Sequence, residues 1–481
     1  MVDDCGIQVD SANVQQKYAM RKILAARGTS SVPQFLREIR NALSVQAAGP
    51  LDARLAKRAL DAIMPHAKCA DDAVEETEQI THDALWALTN LAACSTEACV
   101  AIVADAHFFP DLITRHMAAP HRPQLLEHAL WLVGNLLLDN ATHDAVVTAG
   151  VGRAIADCAW ATLGMGMEVV RTCAWALAAL FEGTHKEVER GALPAVKLLL
   201  VSVADEETLQ DLGGAVWRWL KHWDDDEREH VDALIIHDED DASIDFDIAV
   251  RIVSMLHDED LADIGLKIVS HLLSMDDWCL MYVDILLGEG LLDGLAHVLR
   301  RAGEIAAPAK RYTAQKDVLW ALSNLVAGSS WHCRLTMEHN EIMHAIPPFF
   351  DRTDAIGREA AFFVTNLFVG RRADDVWEFM PKENALPIAW AMQSVKTHRG
   401  QWWADAVALA VGAVRMASEP FSTETSSALV STSLPSPRRN SSTSLAKPRN
   451  TDSGTRSGEI SYPADSSCKA ISKACASIGP F

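Results

Sequence analysis

The stretch that decides the fold is EHALWLVGNLLLDN, residues 127–140. It is apolar almost all round, so a helix made from it must be buried on most sides. Yet it carries Trp131 and, four residues later, Asn135. Positions i and i+4 lie on one helix face, so the amide stands directly beside the largest side chain available. An amide on so greasy a helix needs a reason.

The pair recurs along the chain. THDALWALTNLAAC (81–94) carries Trp86 and Asn90, and QKDVLWALSNLVAG (315–328) carries Trp320 and Asn324. GREAAFFVTNLFVG (357–370) has Phe362 and Asn366; VRTCAWALAALFEG (170–183) keeps Trp175 but has Ala179 in the Asn slot. GGAVWRWLKHWDDD (213–226) offers Trp217 with Lys221. Successive steps are 45, 44 and 42 residues from Trp86 to Trp217, and 42 again from Trp320 to Phe362. The 103-residue step from Trp217 to Trp320 leaves room for one degenerate unit centred on IGLKIVSHLLSMDD (264–277). A helical period in the low forties falls within the ~40–47 residues of armadillo and HEAT repeats. One such unit cannot bury its apolar face alone, whereas stacked units share a continuous core.

The spacers carry Pro194, Pro347 and Pro387. Proline is tolerated in a helix's first turn, so each is expected to open a new helix. The expected fold is therefore all-α: an armadillo-repeat, right-handed superhelical solenoid of about 8–9 repeats, three helices to a unit. It should run over residues 15–418, after a short disordered segment (1–14) and before a disordered Ser-rich tail (419–481). SPRRNSS (436–442) in that tail reads as linker, with a kinase target or weak basic signal as alternatives.

Composition narrows the function. Of 481 residues, 49% are hydrophobic and 22% charged, which fits a mostly folded chain. No apolar run approaches the ~18 residues of a membrane span, and MVDDCGIQVD lacks the features of a signal peptide. The ten cysteines include no C-x-x-C pair, so reduced thiols are expected and a metal is not. A net charge of −22 argues against nucleic acid and for a basic partner. Residues 224–277 alone hold 18 acids against Arg228, Arg251 and Lys267. The HDED motifs at His237 and His257 in that stretch read first as solvated acidic loops and second as metal ligands. No nucleophile elbow, phosphate loop or H-E-x-x-H helix occurs, so neither enzyme activity nor a cofactor is expected.

In a stacked array, Trp86, Trp131 and Trp175 should form one row and Asn90 and Asn135 another. Neighbouring helices sit ~8–10 Å apart, and an extended peptide advances ~3.3 Å per residue. One repeat therefore matches two to three peptide residues. An Asn amide is both donor and acceptor and can clasp a peptide backbone without reading its side chains. Indole faces accept the aliphatic stems of Lys or Arg, and a cation over an indole adds roughly 0.5–2 kcal/mol. Asp139, one turn beyond Asn135, is placed to meet a charged head.

At these residues the chain resembles importin-α, the armadillo adaptor that carries proteins with basic nuclear localisation signals. DALWALTN, HALWLVGN and TCAWAL look like its second to fourth repeats, and KDVLWALSN and REAAFFVTN like its seventh and eighth. The resemblance implies a major groove of Trp86, Asn90, Trp131, Asn135, Asp139 and Trp175. It implies a minor groove of Asp317, Trp320, Asn324, Glu359, Phe362 and Asn366. It further implies basic cargo signals as ligands, shuttling between cytoplasm and nucleus, and importin-β as a second partner. Against that second partner stands the absence of a long Arg/Lys-rich stretch ahead of Gln15. The alternative is an armadillo scaffold for signalling or cytoskeletal assembly with no transport role.

Overall fold

The computed structural model describes residues 4–368, apart from 29, 45–50, 68–74, 106, 109–111, 113–115, 118–121, 184–185, 222–233, 235–243, 276–279 and 351. Pro387, His237, the expected repeat end at Ser418 and the tail 419–481 lie outside the described residues. The chain divides into two compact units, residues 1–321 and 322–481. Among the described residues all regular structure is helical, and no helix is long and apolar enough to cross a membrane.

Among the described residues the helices fall into eight armadillo-type repeats. The first holds α1 (Asp4–Ala25) and α2 (Val32–Leu43); the second α3 (Ala53–Ala67) and α4 (Glu75–Cys94). The third holds α5 (Thr96–Val103) and α6 (Pro123–Leu138); the fourth α7 (His143–Thr148), α8 (Val151–Thr162) and α9 (Met167–Leu180). Next come α10 (Lys186–Ser202) with α11 (Glu206–Lys221), then α12 (Ile244–Met255) with α13 (Ala262–Ser274). The seventh repeat is α14 (Leu280–Gly288), α15 (Leu291–Ala302) and α16 (Pro308–Ala327). The eighth is α17 (Ser330–Glu338), α18 (Asn340–Ala345), a 3-10 turn at Pro347–Phe349 and α19 (Ala355–Phe368).

In the first unit these helices form two layers. One layer stacks α2, α4, α6, α9, α11 and α13 in order, and the Trp/Asn motifs lie in it. The other includes α3, α8, α10 and α12, each packed on its own repeat's member of the first layer. Residues 264–274 of the degenerate stretch lie in α13, in the first layer. Burial explains the assembly. Leu125, Leu126, Leu130, Leu132, Leu136 and Leu137 of α6 are all essentially inaccessible, and each such side chain contributes roughly 1.5–3 kcal/mol.

Two boundaries differ from expectation. Helix α1 begins at Asp4, inside the stretch 1–14 expected to be without structure; no proline interrupts it. Pro194 opens no helix but sits inside α10. There its ring faces solvent while Ala192, Leu193, Ala195 and Val196 bury the rest of that turn. The two short helices expected in that repeat are thus one. Pro347 does begin its element, as do Pro123 and Pro308.

A candidate peptide-binding stripe

Helix α6 shows why the motif reads as it does. Every residue from Leu125 to Leu137 is buried except Glu127, Trp131 and Asn135. Those three follow the i, i+4, i+8 spacing of a single helix face. Trp131 is 39% exposed. The same stripe on α4 holds His82, Trp86 and Asn90. On α11 it holds Trp217 and Lys221, and on α13 it holds Lys267 and His271. On α9 it ends at Trp175, because Ala179 is buried.

The amides do structural work that spacing within one helix could not reveal. Asn135 Nδ2 donates to the Thr89 carbonyl at 3.1 Å, and Asn366 Nδ2 to the Ser323 carbonyl at 3.0 Å. His271, in the same slot of α13, lies 2.8 Å from the Leu220 carbonyl. In each case the acceptor is the residue just before the equivalent slot of the preceding stacked helix. Asn90 Nδ2 reaches the Ser44 hydroxyl instead, at 2.8 Å. The recurring Asn therefore joins each helix to the one before it. A carboxamide has two N–H donors and a carbonyl oxygen, so at Asn135 one N–H and Oδ1 remain for a ligand, whereas Asn366 Nδ2 also donates to the Ser323 hydroxyl at 3.2 Å. Asn324 differs, since its Nδ2 is buried with no partner among the described residues.

The indole row is partly filled by the protein itself. Arg40 of α2 lies over Trp86, its guanidinium carbon 4.4 Å from the ring centre. The same guanidinium donates to Asp83 Oδ1 at 2.5 Å, and Asp83 is fully buried. Arg40 lies in the last turn of α2 and Ser44 caps that helix, so the end of α2 meets both Trp86 and Asn90 of α4. The gap between Trp86 and Trp131 holds the His128 ring, stacked at 5.0 Å on the first and 6.2 Å on the second. His128 Nε2 lies 3.1 Å from His82 Nε2. Burial, then the nearby His82 and Arg40 charges, push His128 down to about 3. Its place three residues before Trp131 was the sequence signal for this, since i and i+3 share a face.

Trp175 rests on the backbone of α6. A Cβ at Gly134 would lie 2.1 Å from the indole Cζ3, so only glycine admits this approach. At Trp217 the ring has Lys221 Nζ at 5.2 Å and Lys267 Nζ at 5.8 Å. Among the described residues no cation lies over Trp131 or Trp175. Glu127 and Glu168 border this part of the row. Burial first, then the Glu168 charge, raise the Glu127 carboxyl above its ordinary range.

The remaining motif residues are placed as follows. Asp139 ends α6 and its Oδ1 accepts from the Ala141 amide at 2.9 Å, so it shapes the turn into α7. On α16, Trp320 is 37% exposed and Asp317 lies 3.0 Å from Lys316 Nζ. On α19, Phe362 is half-buried and Glu359 buried, with Arg358 3.8 Å away. The second HDED copy forms a turn in which Asp258 Oδ1 accepts from the Asp260 and Leu261 amides.

No known family's sequence profile matches the chain, and no curated protein matches it. Among solved structures it is similar to designed armadillo repeat proteins. One, in complex with the peptide (KR)4, is 18% identical at a TM-score of 0.42, over 55% of this chain and 98% of that one. A second is 15% identical at a TM-score of 0.40, over 54% and 99% of the two chains. A third, computationally designed for modular peptide recognition, is 16% identical at a TM-score of 0.42, over 54% and 99%.

Proposed function

We propose that this chain is an adaptor that binds extended Lys/Arg-rich segments along the Trp/Asn stripe, with nuclear localisation signals as cargo and nuclear import as its role. The observation that carries the reading is the free face of α6, where Trp131 and Asn135 emerge from an otherwise buried helix. A net charge of −22 favours basic partners. A labelled Lys-rich peptide should bind, with affinity falling as salt rises. Trp131→Ala combined with Asn135→Ala should remove most of that affinity while urea unfolding shows the repeats still folded. Undiminished binding by a folded double variant sinks the assignment.

A second reading has its own support. The Asn side chains already join neighbouring repeats, and Trp86 and Trp217 already carry cations of this chain. Those facts suit an armadillo scaffold whose Trp/Asn pairs serve stacking alone. Affinity capture from cell extract separates the two readings. Basic-signal cargo and transport factors support the adaptor; cytoskeletal or signalling partners support the scaffold.

A further inference from the structure

Four indoles line the stripe of residues 1–321 between α4 and α11, and they are unequal. Trp86 has Arg40 over it and His128 stacked on it. Trp217 has two lysine ammoniums within 6 Å of its ring. Among the described residues no cation lies over Trp131 or Trp175, one repeat step apart; Glu127 stands one turn before Trp131, and Arg171, one turn before Trp175, is tied to Asp205 and Glu168. Among the described residues the carboxyl of Glu127 is in no ion pair, and it is half-buried, a position that favours a cation arriving from outside.

We propose that the ligand site of this unit is one repeat step long: it takes a short extended basic segment with cations at i and i+2, seated at Trp131 and Trp175. Arg40 closes one end of the row and Lys221 with Lys267 the other. This rests on the peptide-binding reading above and narrows it. The spacing follows from geometry. Alternate side chains of an extended chain share a face and lie roughly 6.6 Å apart, close to the ~8–10 Å between stacked helices. A further cation at i−2 or i+4 would meet a guanidinium or an ammonium already in place, and like charges there repel. Arg40 is thus a specificity residue. It occupies, from within the chain, the seat that a ligand's third cation would need, with a buried carboxylate already holding it there.

The test uses the full chain and labelled twelve-residue peptides, otherwise Gly and Ser, bearing Lys-X-Lys or Lys-X-Lys-X-Lys. Parent protein should bind Lys-X-Lys and gain no more from the third Lys than the small statistical advantage of a second register. Arg40→Gln should gain threefold or more from the third Lys, within the range expected for a cation–indole contact of about 0.5–2 kcal/mol. The Lys221→Ala, Lys267→Ala double variant should gain likewise, at the other end of the row. That double variant leaves no buried charge behind, so it tests the idea even where Arg40→Gln unfolds. A threefold gain in the parent, or no gain in a folded variant, overturns the proposal while leaving peptide binding itself intact. If no peptide binds the parent at all, the adaptor reading and this inference fall together.

Discussion

Glycine 134 offers a prediction whose sign is decisive. In the middle of a helix, Gly→Ala ordinarily stabilises by about 1 kcal/mol, because alanine loses less backbone freedom on folding. At Gly134 the new Cβ would stand 2.1 Å from Cζ3, 2.6 Å from Cε3 and 2.7 Å from Cη2 of Trp175. Relaxed carbon contacts lie near ~3.5–4.0 Å, so the indole must retreat by roughly 1.5 Å. The ring is rigid and belongs to α9, which packs directly on α6. Either the two helices part or Trp175 leaves its seat. Overpacking of this kind costs about 1–3 kcal/mol, and so close an approach belongs at the upper end. The net expectation is a loss of roughly 2 kcal/mol after the ~1 kcal/mol propensity gain is set against it. Gly191→Ala is the matched control: it lies within α10 and a Cβ there meets nothing within 4 Å. Urea unfolding followed by circular dichroism should move the midpoint down for Gly134→Ala and up for Gly191→Ala at unchanged m. A Gly134→Ala protein as stable as the parent would refute the account of the α6–α9 seam.

Two further expectations concern titration and reactivity. Because His128 stays neutral in the fold down to about 3 while the unfolded chain titrates near ~6.5, the unfolded state binds more protons between those values. The His128 contribution is therefore complete above ~6.5 and shrinks as pH falls toward the folded value. Relative to the parent, His128→Leu should lose less stability between pH ~6.5 and ~4; parallel curves in that window would contradict this. Burial also pushes the Cys99 and Cys158 thiols up to about 12, and Cys173 higher still. Since the thiolate is the nucleophile, iodoacetamide at pH 8 should spare all three until the protein unfolds, as read by mass spectrometry. Prompt modification of native Cys173 would count against its burial.

The architecture was legible because its signal repeats. Trp86, Trp131, Trp175 and Trp217 recur at one step, and a helix whose other positions are apolar has a single face on which to show them. Even the degenerate unit could be placed by the gap it had to fill. What the sequence withheld is long-range pairing. Asn135 is visible four residues from Trp131, but nothing local says that its N–H will find the carbonyl of Thr89, 46 residues earlier. The same applies to Arg40 and Ser44. They lack the residue types of the motif, so only the stacking of α2 on α4 reveals that they meet Trp86 and Asn90. Pro194 misled for a related reason: a proline's effect depends on which flanks are buried, and here both flanks were.

The seam between α6 and α9 differs from its neighbours in kind. Among the described residues no side-chain hydrogen bond or ion pair crosses it, because Ala179 replaces the amide and the edge acids Glu127 and Glu168 have like charge. Its geometry rests on apolar contact, with the Trp175 ring seated against Gly134. The pitch between Trp131 and Trp175 is consequently set by the fit of one ring in one notch, where the α4–α6 seam is pinned by the Asn135 amide on the Thr89 carbonyl.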